Sequence, residues 1–173
     1  MFVSCENDLE SVRVVTATSD TPERILTDFH SYYSDSGIVR YEIIGKKMED
    51  FNQNGQITIF KDGIIANYYS ENSEIISTLT AEYAEYKPMD NIIIAKNNVI
   101  FTNHKKKQIL KTEELFWDKR IRKIRTPKPF FIETPNTIAN GVGLTADETF
   151  STYEMSDFSL TYRDTTNEFS TFK

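Results

Sequence analysis

The 173 residues contain one cysteine, two histidines and one tryptophan. No apolar run approaches the roughly 20 residues that cross a bilayer as a helix. A single cysteine, Cys5, excludes an intramolecular disulfide and leaves the redox compartment open. His30 and His104 stand 74 residues apart, and no cluster of cysteines or carboxylates completes a zinc set around either. A Gly-rich phosphate loop and a Ser-containing elbow are both missing. Glu113 and Glu114 are adjacent, and Glu82 and Glu85 are separated by an odd number. On strands, each pair would point to opposite faces and could not act together. No catalytic residue, metal ligand or cofactor is therefore expected, and the chain reads as something other than an enzyme.

Aromatics, by contrast, are plentiful, at 13% with twelve Phe and nine Tyr, and they favour pleated surfaces. The length suits one domain with a real core. A net charge of −6 argues against nucleic-acid binding by the whole surface. The cations are uneven, since ten of the twenty Lys and Arg fall between Lys105 and Lys128.

Three related phrases recur: Leu79-Thr80-Ala81-Glu82-Tyr83, Lys111-Thr112-Glu113-Glu114-Leu115 and Leu144-Thr145-Ala146-Asp147-Glu148. Aligning Thr80, Thr112 and Thr145 gives spacings of 32 and 33 residues. Between the phrases lie pairs of apolar segments, Ile92–Ala95 with Val99–Phe101, then Ile121–Ile124 with Phe130–Ile132. Each unit reads as strand, turn, strand, and a fixed period of this size implies a stacked array. A lone hairpin is marginal in water, so the units must pack on one another.

Residues 1–22 are polar and form a leader or tether. Phe2-Val3-Ser4-Cys5 has the small residue before cysteine of a bacterial lipoprotein signal, so Cys5 is either an acylated anchor or a plain N-terminal thiol. Asp20-Thr21-Pro22-Glu23 has helix-start chemistry, with Ile25, Leu26, Phe29 and Tyr32 continuing the stripe. The competing reading puts Thr27, Phe29, Ser31 and Tyr33 on one face of a strand, and is preferred.

From Ile38 the strands are clearer. Turns are expected at Asn52–Gly55 and Asp62-Gly63, both hairpin signals, and at Lys87–Asn91, Asn103–Lys107 and Asp118–Arg120. Ile75, Ser77, Leu79, Ala81 and Tyr83 share one strand face. Pro127, Pro129 and Pro135 predict an edge or irregular crossing. Strand pattern resumes from Phe150 to Tyr162, and residues 163–173 form a polar tail. The expected domain is 23–162 and all-β.

The basic set Lys119, Arg120, Arg122, Lys123, Arg125 and Lys128 has two readings. One is an exposed strand whose charges discourage aggregation. The other is recognition of an anionic group, a lipid headgroup or membrane surface rather than nucleic acid, since aromatics are not interleaved with the run.

Several phrases, in order and spacing, resemble the LptC family of the lipopolysaccharide transport bridge. They are Ser34–Tyr41, Met48–Phe51, Leu79–Tyr86, Asn98–Phe101, Leu110–Leu115 and Gly141–Asp147. The resemblance covers residues 25–162. It implies a twisted, open antiparallel β-jellyroll of the OstA/LptA-like kind. It also implies a role: taking lipopolysaccharide from an inner-membrane ABC transporter and passing it across the periplasm to an LptA-like jellyroll protein by edge-to-edge strand pairing. The family usually carries an N-terminal membrane helix, and here Cys5 is expected to take its place. Acyl chains cannot cross water exposed, since each buried methylene is worth about 0.8 kcal/mol. The expected apolar slot is lined by Tyr41, Ile43, Phe60, Leu79, Tyr83, Ile93, Val99, Phe101, Leu115, Trp117, Phe130 and Leu144. Of these, Phe60 best matches a lipid-contacting place in the family. Gly143 resembles a family glycine near the C-terminal edge, where the partner jellyroll docks. The alternative is a membrane-anchored β-repeat lipoprotein that serves only protein–protein contacts. A carrier should leave an open slot, whereas a scaffold should pack shut.

Overall fold

Eleven strands follow one another without a helix among the described residues, which are 21–52, 56–163 and 169–172 of a computed structural model. They are β1 (Arg24–Asp35), β2 (Ile38–Asn52), β3 (Gln56–Tyr69), β4 (Ile75–Ala81), β5 (Tyr83–Lys87), β6 (Ile92–Asn103), β7 (Gln108–Asp118), β8 (Lys123–Glu133), β9 (Thr137–Asp147), β10 (Tyr153–Arg163) and β11 (Phe169–Phe172). All belong to one antiparallel sheet in the order β1-β2-β3-β4-β6-β7-β8-β9-β10-β11, with β5 pairing β3 and β6. The architecture is the expected β-jellyroll. The 32–33-residue period survives as a two-strand unit, β4/β5 with β6, β7 with β8, β9 with β10, but no turn separates the paired apolar segments: Ile92–Ala95 and Val99–Phe101 are both in β6, and Ile124 and Phe130–Ile132 both in β8. The aligned threonines do not share a face, since Thr112 is buried and Thr145 exposed.

What turns this sheet into a two-layer body is a line of irregularities at matching heights on successive strands. The β2–β3 register slips between Gly45 and Lys47, opposite Asp62-Gly63. β4 gives way to β5 at Glu82. The slips continue between Lys96 and Val99, between Thr112 and Phe116, and between Thr126 and Pro129. Asp28 (φ 50°), Asn97 (φ 64°), Asn98 (φ 50°) and Gly143 (φ 82°) lie on the same line with left-handed backbones. Bulges bend strands, and a row of them creases the sheet. The backbone groups freed there find partners along the line: Gly63 N–H donates to Glu82 O (2.9 Å) and Glu82 N–H to Asn97 O (3.1 Å).

The crease brings the two halves of each long strand face to face. Tyr41, beyond the crease on β2, sets its ring 5.4 Å from that of Trp117 on the other half of β7. Between the layers lies one core that includes Phe60, Leu79, Phe101, Leu115, Ile124, Ile132 and Leu144.

Several expectations are corrected here. Asp62-Gly63 is no hairpin turn. β3 runs straight through it, using the left-handed pair (φ 64° and 105°) to change partner from β5 to β4. Of the two proline readings, the irregular crossing holds at Pro127 and Pro129, where the β8–β9 register slips, and the edge does not, because β8 is paired on both sides by β7 and β9. Phe150 does not begin a strand; it sits in the turn before β10. The tail carries β11, paired with Leu160–Arg163. Residues 24–33 settle as strand, in β1, which begins at Arg24. The Asn52–Gly55 turn and Cys5 fall on or within stretches that lie outside the described residues.

Candidate functional site: the space between the two layers

Alternation on each half-strand sends one set of apolar side chains inward. Nine of the twelve expected slot residues are buried there, at 6% exposure or less: Phe60, Leu79, Ile93, Val99, Phe101, Leu115, Trp117, Phe130 and Leu144. Tyr41 and Ile43 are partly buried and pack on the same core. Tyr83 is the exception. Glu82 falls out of the ladder between β4 and β5, which reverses the alternation, so Ala84 and Tyr86 point inward. Tyr83 faces outward, its hydroxyl donating to Glu85 (3.1 Å) and its ring under Lys96.

The middle of the sandwich is closed. Leu110, Leu115, Ile124 and Ile132 are all at 1% exposure or less. Phe150 was not foreseen, because nothing local marks a turn phenylalanine as a wedge. Fully buried, it stacks on Tyr153 (5.1 Å) and presents an edge to Phe101 of the opposite layer (6.0 Å). The indole N–H of Trp117 is buried without a hydrogen-bond partner.

Space opens toward the β1–β4 end. A recess of about 540 Å³ lies at the crease, lined mostly by apolar groups of Phe29, Ile44, Ile64, Ile65 and Ala81 beside Gly45 and Gly63. A larger cavity of about 870 Å³ occupies the rim opposite the crease. Tyr33, Arg40, Tyr41 and Tyr68 line it from one layer, and Tyr86, Lys119, Arg122 and Glu148 from the other. The Lys119 Nζ lies 4.8 Å from the Tyr41 ring centre and 5.4 Å from those of Tyr33 and Tyr86. Burial holds its pKa below the usual lysine value, against the attraction of Glu148. Burial likewise pushes the Tyr41 hydroxyl well above the ordinary phenol range.

These positions divide the basic run. Lys119 and Arg122 reach the rim cavity, Arg122 donating from Nε to Glu148 (2.6 Å). Arg120, Lys123, Arg125 and Lys128 are exposed, with Arg125 lying over the Phe116 ring (4.3 Å).

At the β1 end a polar knot fastens the edge strand. Glu42 on β2, at 7% exposure, accepts from Asn67 (2.8 Å) and Tyr69 (2.7 Å) and meets His30 Nε2 of β1 (2.7 Å). Hydrogen bonds from Asn67, Tyr69 and His30 pull its carboxyl down to about 2.

Gly143 lies on β9, flanked by β8 and β10, near the C-terminal edge that β10 and β11 form. Its φ of +82°, with Ser156 Oγ 3.2 Å from where a Cβ would stand, makes it a crease residue.

A creased antiparallel sheet with an apolar interior, ending among the described residues in β1 on one side and β11 on the other, defines a β-jellyroll. The LptC-related lipopolysaccharide-assembly family matches residues 2–158, and the chain belongs to that family. No curated protein matches it. Membership gives the chain a role in lipopolysaccharide transport with the other Lpt components, as a periplasmic protein associated with the inner membrane. The family is one of transport components.

Proposed function

We propose that the protein carries the acyl chains of lipopolysaccharide between its two layers. It would receive them from the inner-membrane ABC transporter and pass them to an LptA-like jellyroll. The carrying observation is the continuity of the apolar interior across the crease, from Phe29 and Phe60 near one end to Met155 and Leu160 near the other. Neighbouring jellyrolls extend this interior by pairing with the end strands of the described sheet, β1 on one side and β10–β11 on the other. Acylation of Cys5 holds the protein at the membrane, with at least two chains needed for stable anchoring.

The centre of the sandwich is closed, with Leu115 and Ile124 at 1% exposure or less. Cargo reaches Leu79, at 2% exposure, only if the layers part about the crease. The same closed centre favours the second reading, a lipoprotein scaffold for protein contacts without lipid cargo. Photocrosslinking in envelope membranes separates the two. Probes at Phe60 and Leu79, with the exposed Glu82 as control, should give lipopolysaccharide adducts at the two inward sites only. Protein adducts without lipid at both inward sites would establish the scaffold instead.

A further inference from the structure

Acyl chains held between the layers leave a polar end to be accommodated at the rim. We infer that the rim cavity binds a phosphoryl group of an anionic amphiphile, with the Lys119 ammonium as its principal contact and Arg122 as the second; this rests on the carrier reading. Lys119 differs from the other cations that line the cavity. Arg40 lies 3.9 Å from Glu71, and Arg122 is bonded to Glu148. Lys119 has no carboxylate within ion-pairing distance among the described residues, and its half-buried head is met only by the faces of Tyr33, Tyr41 and Tyr86. Aromatic faces recover part of the hydration such a cation loses, and an anion recovers more. The cavity beside it, about 870 Å³, has room for that anion.

The chemistry favours phosphoryl over a single carboxylate. Arg122 engages Glu148 through Nε, and its guanidinium fork carries further donors toward an oxyanion. A dianionic group can therefore meet two cations at once. The third carboxylate of the lining, Asp35, accepts from the Ser36 hydroxyl (3.1 Å). Behind Tyr41, the Trp117 ring supplies the chain's one tryptophan as a built-in reporter, 5.4 Å away.

The test titrates the full chain, followed by Trp117 emission, with three probes. These are dodecyl phosphate below its micellar concentration, dodecyl maltoside as the uncharged partner of equal chain length, and inorganic phosphate. Dodecyl phosphate should bind at least ~10-fold more tightly than the maltoside, as expected of one charge-assisted contact. That preference should vanish in Lys119→Met and persist in Lys119→Arg and in the outer-face control Arg125→Met, with thermal unfolding confirming that each variant is folded. Preference retained in Lys119→Met overturns the inference. So does inorganic phosphate binding as tightly as dodecyl phosphate, which would make the cavity a site for the free ion. Equal binding of both amphiphiles overturns this inference alone, whereas failure of both to bind takes the carrier reading down with it.

Discussion

Replacing Phe150 with alanine should be among the most damaging single changes available to this protein. The side chain is fully buried, enters the core from a turn residue at φ 54°, stacks on Tyr153 and abuts Phe101 across the interlayer space. Truncating a buried phenylalanine costs about 3–5 kcal/mol, made up of lost transfer energy and the cavity left behind. The turn cannot readily collapse to fill that cavity, because Phe150 N–H is bonded to Asp147 O (2.9 Å) and the Asp147 carboxylate accepts from Thr149, Ser151 and Thr152. The loss should therefore sit in the upper part of that range. Against a typical total of about 5–15 kcal/mol, it removes a large share of the stability. At ~2–4 °C per kcal/mol for a chain of this size, a loss of about 4–5 kcal/mol should lower the melting temperature by roughly 8–20 °C. Urea unfolding followed by Trp117 emission, paired with calorimetry, measures both quantities. Phe101→Leu combined with Phe150→Leu should show a coupling of about 0.5–1.5 kcal/mol, because the edge contact joins the two layers. A loss below ~1 kcal/mol in Phe150→Ala would refute the wedge role, placing the turn outside the cooperative core.

Two further outcomes are expected. Gly141→Ala should cost more than about 3 kcal/mol, because its Cβ would stand 2.0 Å from Asp157 O and 2.8 Å from Phe158 Cα, both backbone atoms of β10. Gly37→Ala meets no atom within 4 Å and should cost only the ~1–2 kcal/mol of its left-handed backbone, so equal melting temperatures for the two variants would contradict this picture. Because the folded pKa of Glu42 is depressed to about 2, its contribution is present above the unfolded value of about 4.3 and drains away as pH falls toward 2. Wild type should lose stability between about pH 4.5 and 2 more steeply than Glu42→Gln in urea titrations, and parallel curves would exclude Glu42 as the source.

Face assignments were readable wherever a strand kept its alternation. Period-two spacing puts Ser77, Leu79 and Ala81 on one face, and all three are buried. The failures cluster on the crease, and the cause is physical. Asp-Gly, Asn-Asn and Pro signal a left-handed or interrupted backbone, but whether that backbone reverses the chain or bends it depends on which strands lie alongside. At Asp62-Gly63 the neighbour changes from β5 to β4, and the dihedrals that would close a hairpin instead allow β3 to continue. Tyr83 went astray for the same reason, since one residue outside the ladder at Glu82 inverts everything after it. β11 escaped because four residues are too few to show a period. Lys119 was visible only as one member of a basic run; its separation from Arg120 and Arg125 exists only once the rim is assembled.

The crease also divides the labour of change. Its residues are glycine, asparagine, aspartate, proline and charged side chains, while the inward faces on either side are apolar. Substitution along the line can alter how widely the halves stand apart and leave the composition of the interior untouched. Substitution on the faces can alter the interior and leave the hinge angle as it was. The spacing of the halves and the make-up of the interior are therefore set by different residues and can drift independently.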